Sequence, residues 1–430
     1  MNVLTISIMI GFILTSSNVL AGPTSLVSTK SQKEQSNGAS SEPATSDTGQ
    51  FVAFRSSATT LHSQRCNNGL NHIFVRDRSA RTIRCVSVNT NDQQADQDSH
   101  APSISADGQL IAFESAATNL SGGRCNNGVN HIFFHDRTTG TTRCVSLNTN
   151  DQQADQDSHA PSISADGQFI AFDSAATNLS GGRCNNGVNH IFVRDRTTGT
   201  TRCVSVRSNG TEGDGDSFDP SISANGQIVV FHSTATNLAA RCSNGNSHVY
   251  MHDLPTGQTS CVSVNSDGNE SNGNSDLARV SGNGLFVAFE SDATDLTSQC
   301  NNGFAHIFVR DLVGNRTSCV SMDNRGNEGN NDSMQAAISF DGRLVAYSSA
   351  ANNLTATRCI AGNIQVFVRD RVVRKTTCAS VGPRRVEGNG DSINPSMSGN
   401  GVLVSFESNS NNLVNNDTNG LSDVFVHVLP

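Results

Sequence analysis

The chain has 430 residues, with 29 Lys and Arg against 38 Asp and Glu, a formal net charge of −9 and no Trp. With no basic cluster it lacks the positive footprint that a phosphate backbone requires, which argues against a nucleic-acid partner. Only two Tyr leave few flat aromatic faces for a sugar cleft, whereas abundant Asn, Ser, Asp and Gly suit many tight turns.

The first residues, MNVLTISIMIGFILTSSNVLAGPTS, contain one apolar run and end it on Val19-Leu20-Ala21, a small-residue cleavage pattern of secretory signals. Residues 1–21 therefore read as a signal peptide, and 22–430 as a single domain. The run is too short for a good membrane span, and no later segment is long and apolar enough for one. No lipid-anchoring cysteine stands at the cleavage point. The expected protein is secreted or periplasmic, monomeric, and free of a membrane span after cleavage. Export also governs how the 12 cysteines are read, because an oxidising compartment favours disulfides.

From there the chain is an array. Gly49, Gly108, Gly167, Gly226, Gly284, Gly342 and Gly401 open the same Gly-x-x-(Val/Ile)-x-(Phe/Tyr) run at intervals of 59, 59, 59, 58, 58 and 59, so it has seven registers. Unit two shows four runs of strand character: 102–105 (PSIS), 109–115 (QLIAFES), 131–136 (HIFFHD) and 143–148 (RCVSLN). Asp107-Gly108 and Thr139-Gly140 supply tight turns between them. Four antiparallel strands per unit, with no helical periodicity, predict an all-β, seven-bladed propeller. The last unit stops at SDVFVHVLP, after its third strand, while residues 24–50 align without a gap on 83–109, placing Val27 on Val86 and Ser40 on Ser99. The N-terminus is thus a fourth strand without a first three, and closes blade seven.

The cysteines form pairs 19 apart: Cys66/Cys85, Cys125/Cys144, Cys184/Cys203, Cys242/Cys261, Cys300/Cys319 and Cys359/Cys378. In blade seven the two equivalent positions are Asp417 and Leu26, at opposite ends of the chain. Both cysteines are missing from that one composite blade. Bonding each strand cysteine to the next unit's loop would leave Cys66 and Cys378 unpaired, whereas pairing within a blade leaves none. A metal reading would add His72, His131, His190, His248 and His306, six residues after each first cysteine. Unit six, however, has Gln365 there and keeps both cysteines, and three ligands fall short of a closed zinc site. The pattern predicts six within-blade disulfides, with the histidines hydrogen-bonded to loop backbone.

The blade-seven loop, NNDTNGLSDVFV, places Asp417, Asn419 and Asp423 at alternate positions around a glycine bend, a set of hard oxygen ligands that suits Ca²⁺. An Asx-turn loop without metal fits the same residues. The units, SxDGxxVAFxS followed by DxNGxxDVFVxD, resemble the WD40-like (PD40) propeller repeats of TolB-type bacterial envelope proteins. That resemblance covers nearly all of the mature chain and implies a protein-binding role. It also implies that Cys66 and its equivalents replace the first Asp of an Asp-x-Asn-Gly-x-x-Asp loop. The chain departs from TolB in having no preceding α/β domain and in counting seven blades.

Two sets of polar residues are candidates for function. Asp98, Asp157, Asp216, Asp332 and Asp391, in the connections from strand four to the next strand one, share a face with the cysteine loops and form a binding face for cations or a basic partner, or else cap their own turns. Glu114, Asp173, His232, Glu290 and Glu407, each after the strand-two aromatic, break the repeat, as does Arg384-Arg385; Glu114, Asp173 and Glu290 are the carboxylates a hydrolase or lyase would hold over the central channel. There is no Gly-x-Ser-x-Gly elbow and no hydrolase domain. The reading favours a non-enzymatic binding scaffold, with that enzyme or a structural envelope or extracellular component as alternatives.

Overall fold

Strand formation in each unit follows from its two central segments. Leu110–Ser115 and His131–Asp136 are rich in β-branched and aromatic residues and pair so that Phe113 lies opposite Phe133. Their rings stack with centroids 6.0 Å apart. The same pair recurs in all seven blades, from Phe54–Phe74 to Phe406–Phe425, at 5.9–6.0 Å. These strands are buried on both faces because the next blade covers them, Ile73 and Val75 of blade one packing with Ile111 and Phe113 of blade two. Each fully buried Phe stabilises the fold by roughly 2–3 kcal/mol.

The protein is described here by a computed structural model covering residues 24–31 and 34–430; the signal peptide expected at 1–21 lies outside the described residues. Seven four-stranded antiparallel sheets form the blades of a propeller. In blade two the strands are Ser99–Ile104, Leu110–Ser115, His131–Asp136 and Thr141–Cys144, innermost to outermost. The innermost begins earlier than its sequence pattern indicates. A bulge at Ala101, with φ +48°, re-registers the chain so that Ser99 still pairs with Ser115. The outermost differs from the expected 143–148. It ends at Cys144, as its counterpart in blade six, Lys375–Cys378, ends at Cys378, because the chain beyond the cysteine turns away towards the next blade.

Blade seven is closed from both ends of the chain. Ser25–Leu26 pairs with Val426 and Phe425 as the fourth strand beside Asp423–Val428, Leu403–Ser408 and Ser392–Met397. A ring of seven backbone hydrogen bonds of 2.9–3.1 Å then runs round the face of the strand one-to-two turns, through Ala106, Ala165 and Ala224 to Gly282, Phe340 and Gly399, and back through Asp47 to Ala106. A short hairpin, Thr29–Ser31 with Glu34–Gln35, extends the N-terminal strand, and its Thr29–Gln35 pairing recurs in the other units as single bridges, from Val88–Gln94 to Val381–Glu387. No helix among the described residues is long and apolar enough to cross a membrane.

Candidate functional site

All twelve cysteines are bonded within their own blades: Cys66–Cys85, Cys125–Cys144, Cys184–Cys203, Cys242–Cys261, Cys300–Cys319 and Cys359–Cys378, with Cα atoms 6.2–6.4 Å apart. Cys378, which bonding to the next unit would have left free, is joined to Cys359 with Cα atoms 6.3 Å apart, and its sulfur lies 3.6 Å from Ser380 Oγ. Each loop cysteine sits at positive φ, between +53° and +67°, a left-handed conformation costing an L residue roughly 1–2 kcal/mol. The crosslink holds it there.

The sulfurs of five blades lie near a histidine nitrogen, but they are bonded to each other and the ring has other partners. His72 Nδ1 lies 3.0 Å from Ser87 Oγ and Nε2 lies 2.7 Å from Asn68 Oδ1; His131, His190, His248 and His306 repeat the arrangement. The histidines therefore bond to side chains and not, as expected, to loop backbone. The reason is local: Ser87, two residues past the end of strand four, already receives the backbone N–H of Ile73 and brings its hydroxyl under the ring. Burial lowers His72 and His131 to about 4, so the rings are neutral. Gln365 fills the same corner in the Cys359–Cys378 blade, accepting from Ser380 Oγ at 2.5 Å.

Blade seven builds this corner from Asp417, Asn419 and Asp423. Asp423 Oδ1 accepts from Ser28 Oγ at 2.6 Å and Ser36 Oγ at 3.2 Å, and Oδ2 accepts from the Asn419 amide at 2.9 Å. Asp417 Oδ1 accepts from Gln35 Nε2 at 3.2 Å. Both carboxyls are buried and both are raised, Asp417 by burial and then by the charge of Asp423, Asp423 by burial.

On the same face, the five aspartates act as clamps between blades. Asp98 Oδ1 accepts the backbone N–H of Asn71 at 2.6 Å, while the N–H of Ser99 donates to Asn71 O at 2.9 Å. Asp157, Asp216, Asp332 and Asp391 hold Asn130, Asn189, Ala305 and Ile364 in the same way at 2.7–2.9 Å. Each fastens the cysteine loop of the blade before it. It does not cap its own turn, because the strand-one entry runs alongside that loop.

Four of the irregular positions around the channel, all carboxylates, share one structural task, and His232 does not. At the strand-one bulge the backbone N–H has no partner within its own sheet and turns to the preceding blade. Glu407 accepts it from Glu42 at 2.7 Å, Glu114 from Ala160 at 3.0 Å, Asp173 from Asp219 at 3.4 Å and Glu290 from Gln335 at 3.0 Å. Where the strand-two residue is Arg55 or Ser348, the bulge residue itself reaches on instead. Glu42 accepts from Ala101 at 2.8 Å, and Gln335 from Asn394 at 3.1 Å. Sequence reasoning missed Glu42 and Gln335, although register comparison carries the signal: both stand where blades two and three have Ala101 and Ala160, and both occur in the blades that carry Arg55 and Ser348. Arg384 and Arg385 lie apart from the channel, in a short 3₁₀ turn beside strand four.

The ring is nevertheless uneven in charge. Across blades two to five Glu114, His159, Asp173, Asp219, His232, Asp276 and Glu290 form a continuous titratable arc. Asp173, 3% exposed, is pushed up to about 7 by burial and then by Asp219. Its neighbour His159 is raised by its hydrogen bond to Glu114, 3.4 Å away. Burial raises Glu290 and lowers His232, whose Nδ1 has no hydrogen-bond partner and whose ring lies 3.9 Å from both Asp219 and Asp276. On the far side of the ring Arg55 pairs with Glu42 at 2.7 Å.

Fold and site together define a disulfide-stapled, seven-bladed β-propeller. No family model matches the chain, and no curated protein matches it. Among solved structures it is similar to the β-propeller domain of the Trilobed protease from Pyrococcus furiosus, with TM-score 0.56 and 11% identity over 90% of this chain and 95% of that one. It is also similar to oligogalacturonate lyase from Vibrio parahaemolyticus (0.55, 10%, 95% and 98%) and to TolB from Acinetobacter baumannii (0.42, 15%, 83% and 75%). At these identities the likeness is one of fold.

Proposed function

We propose that the chain from Gly22 is an exported, single-domain, monomeric propeller that serves as a non-enzymatic scaffold, binding a protein or other macromolecule on its cysteine-loop face. One observation carries this reading: the carboxylates Glu114, Asp173, Glu290 and Glu407 are engaged as latches on the bulge amides of the next blade. A group that must hold its neighbour is poorly placed to move protons on a substrate. Asp98, Asp157, Asp216, Asp332 and Asp391 each offer a second carboxylate oxygen on the loop face, which suits a basic partner. Export is supported by the leader pattern and by six crosslinks, which persist in oxidising compartments.

The test has two arms. Binding of an oligolysine peptide, measured calorimetrically, is expected to weaken when the five aspartates are changed to Asn. Formation of unsaturated product from oligogalacturonate, the chemistry named for one structural neighbour, is expected to be absent; turnover that disappears in Glu114→Gln would overturn the scaffold reading.

Blade seven adds Ca²⁺ to the proposal, with Asp417, Asn419 and Asp423 as its ligands. Two buried, mutually repelling carboxyls at a corner without a disulfide are a fitting donor set, because a cation would offset the charge that burial penalises. Asn419 turns its amide nitrogen to Asp423, so binding requires that carboxamide to rotate. A rise in melting temperature with Ca²⁺, lost in Asp417→Asn, is the expected result; no Ca²⁺-dependent change would refute the assignment.

A further inference from the structure

A different set of positions breaks the seven-fold pattern on the face opposite the cysteine loops. The strand three-to-four turn carries Thr138-Thr139 in blade two, Thr197-Thr198 in blade three and Pro255-Thr256 in blade four. In blade five that turn has Val313, and in blade six Val372-Val373, with 73%, 72% and 59% of their surfaces exposed. The strand one-to-two turn changes in the same sector. Gln50, Gln109, Gln168 and Gln227 give way to Leu285 in blade five and Val402 in blade seven, and Phe340 stands where Ala106, Ala165 and Ala224 stand earlier. Leu285, Phe340 and Val402 are all exposed.

The fold makes one surface of these substitutions. Asn283 N–H donates to Phe340 O and Phe340 N–H to Gly399 O, both at 2.9 Å, which ties the three turns side by side. Phe340, Val373 and Val402 then line a single cleft of about 880 Å³ with Leu429 and Pro430, where Arg343 and Lys375 stand beside Asp47, Asp341 and Asp370.

Charge follows the same sector. The blade-six turn 371–375 carries Arg371, Arg374 and Lys375 and no Asp or Glu, in a chain with 29 Lys and Arg against 38 Asp and Glu. Arg316, Arg374 and Lys375 are exposed beside the valine tips, and Arg371 is held over the Phe286 ring at 4.8 Å.

We propose that the turn face of blades five to seven docks on an anionic lipid surface, with the valine tips entering the headgroup boundary and Arg316, Arg374 and Lys375 meeting the lipid phosphates. Aliphatic side chains raised on the tips of hydrogen-bonded hairpins gain nothing from a polyanion that offers charge alone, but they are transferred out of water by an interface that also has an apolar layer. The flanking cations supply the electrostatic part, each worth about a fivefold change in partitioning. The hairpins are rigid, so little conformational freedom is lost on docking.

Flotation of the chain from Gly22, which contains every described residue, with phosphatidylcholine vesicles and with phosphatidylcholine/phosphatidylserine vesicles tests this. Binding is expected only with phosphatidylserine and is expected to weaken as salt rises. Arg374→Gln with Lys375→Gln should reduce it about 25-fold, and Val372→Ser with Val373→Ser should remove most of it, at an unchanged melting temperature because these side chains are exposed. No flotation with phosphatidylserine vesicles overturns the proposal. So does flotation that the serine variants leave intact, or capture by polyglutamate in place of vesicles, since either would mean that charge alone, or an acidic polypeptide, is recognised.

Discussion

Changing Asp173 to Asn is expected to stabilise the protein, and to do so increasingly as pH rises towards neutrality and above. The carboxyl is 3% exposed and faces Asp219, so its folded-state value of about 7 lies well above the ordinary 3.8. The sign is the reverse of the usual carboxylate case. Below pH 3.8 neither state is ionised; between 3.8 and 7 the unfolded chain releases the proton and the folded one keeps it, so stability falls by about 1.4 kcal/mol per pH unit. Above 7 the loss levels off at about 4 kcal/mol, an upper bound because repacking relieves part of it. Asn keeps the oxygen that accepts from Asp219 N–H, 3.4 Å away, and removes the charge. Urea unfolding of wild type and variant under non-reducing conditions at pH 4.5, 6 and 8 measures the difference, which should grow with pH. A difference independent of pH, or a loss of stability at pH 8, would refute the argument that this latch holds a proton.

The histidines work in the opposite direction. His72, His131, His135, His252 and His427 are lowered by burial to about 4, so each contributes stability that is complete above pH 6.5 and fades as pH falls towards 4. At most this is about 3 kcal/mol per ring. His131→Gln, which copies the native corner at Gln365, should flatten the fall in melting temperature between about pH 7 and 5. Removing one crosslink with Cys125→Ser and Cys144→Ser, or with Cys359→Ser and Cys378→Ser, should lower the unfolding free energy by about 3 kcal/mol; a change near zero in urea melts would show that the blade is held without it. Gly226, at φ +72°, lies where a Cβ would collide with the Phe169 ring, so Gly226→Ala should cost about 2–4 kcal/mol. Gly245→Ala, at φ +89° in open space, should cost only about 1–2 kcal/mol by the same melts.

Much of this architecture was legible because the chain repeats itself. A register of 58 or 59 residues makes each unit a control for the others. From the absence of cysteine at both Asp417 and Leu26 came the within-blade pairing, which the Cys359–Cys378 bond at the last crosslinked blade completes. From the gapless match of 24–50 to 83–109 came the closure of blade seven by Ser25–Leu26. Runs of β-branched and aromatic residues bounded by turn residues placed the central strands to within a residue. The bulge at Ala101 was not legible, since pairing across it depends on a backbone amide turned towards another blade. For the same reason the sequence presented Glu114, Asp173 and Glu290 as candidate catalysts without their hydrogen bonds to the amides of Ala160, Asp219 and Gln335, which only the assembled ring shows. Number of blades, crosslinks and closure are properties of spacing along one chain, which sequence records directly. The partners of a buried polar group are set by which strand lies beside it in space, and so the clamps at Asp98, the arc from Glu114 to Glu290 and the valine-tipped surface of blades five to seven exist only in the folded ring.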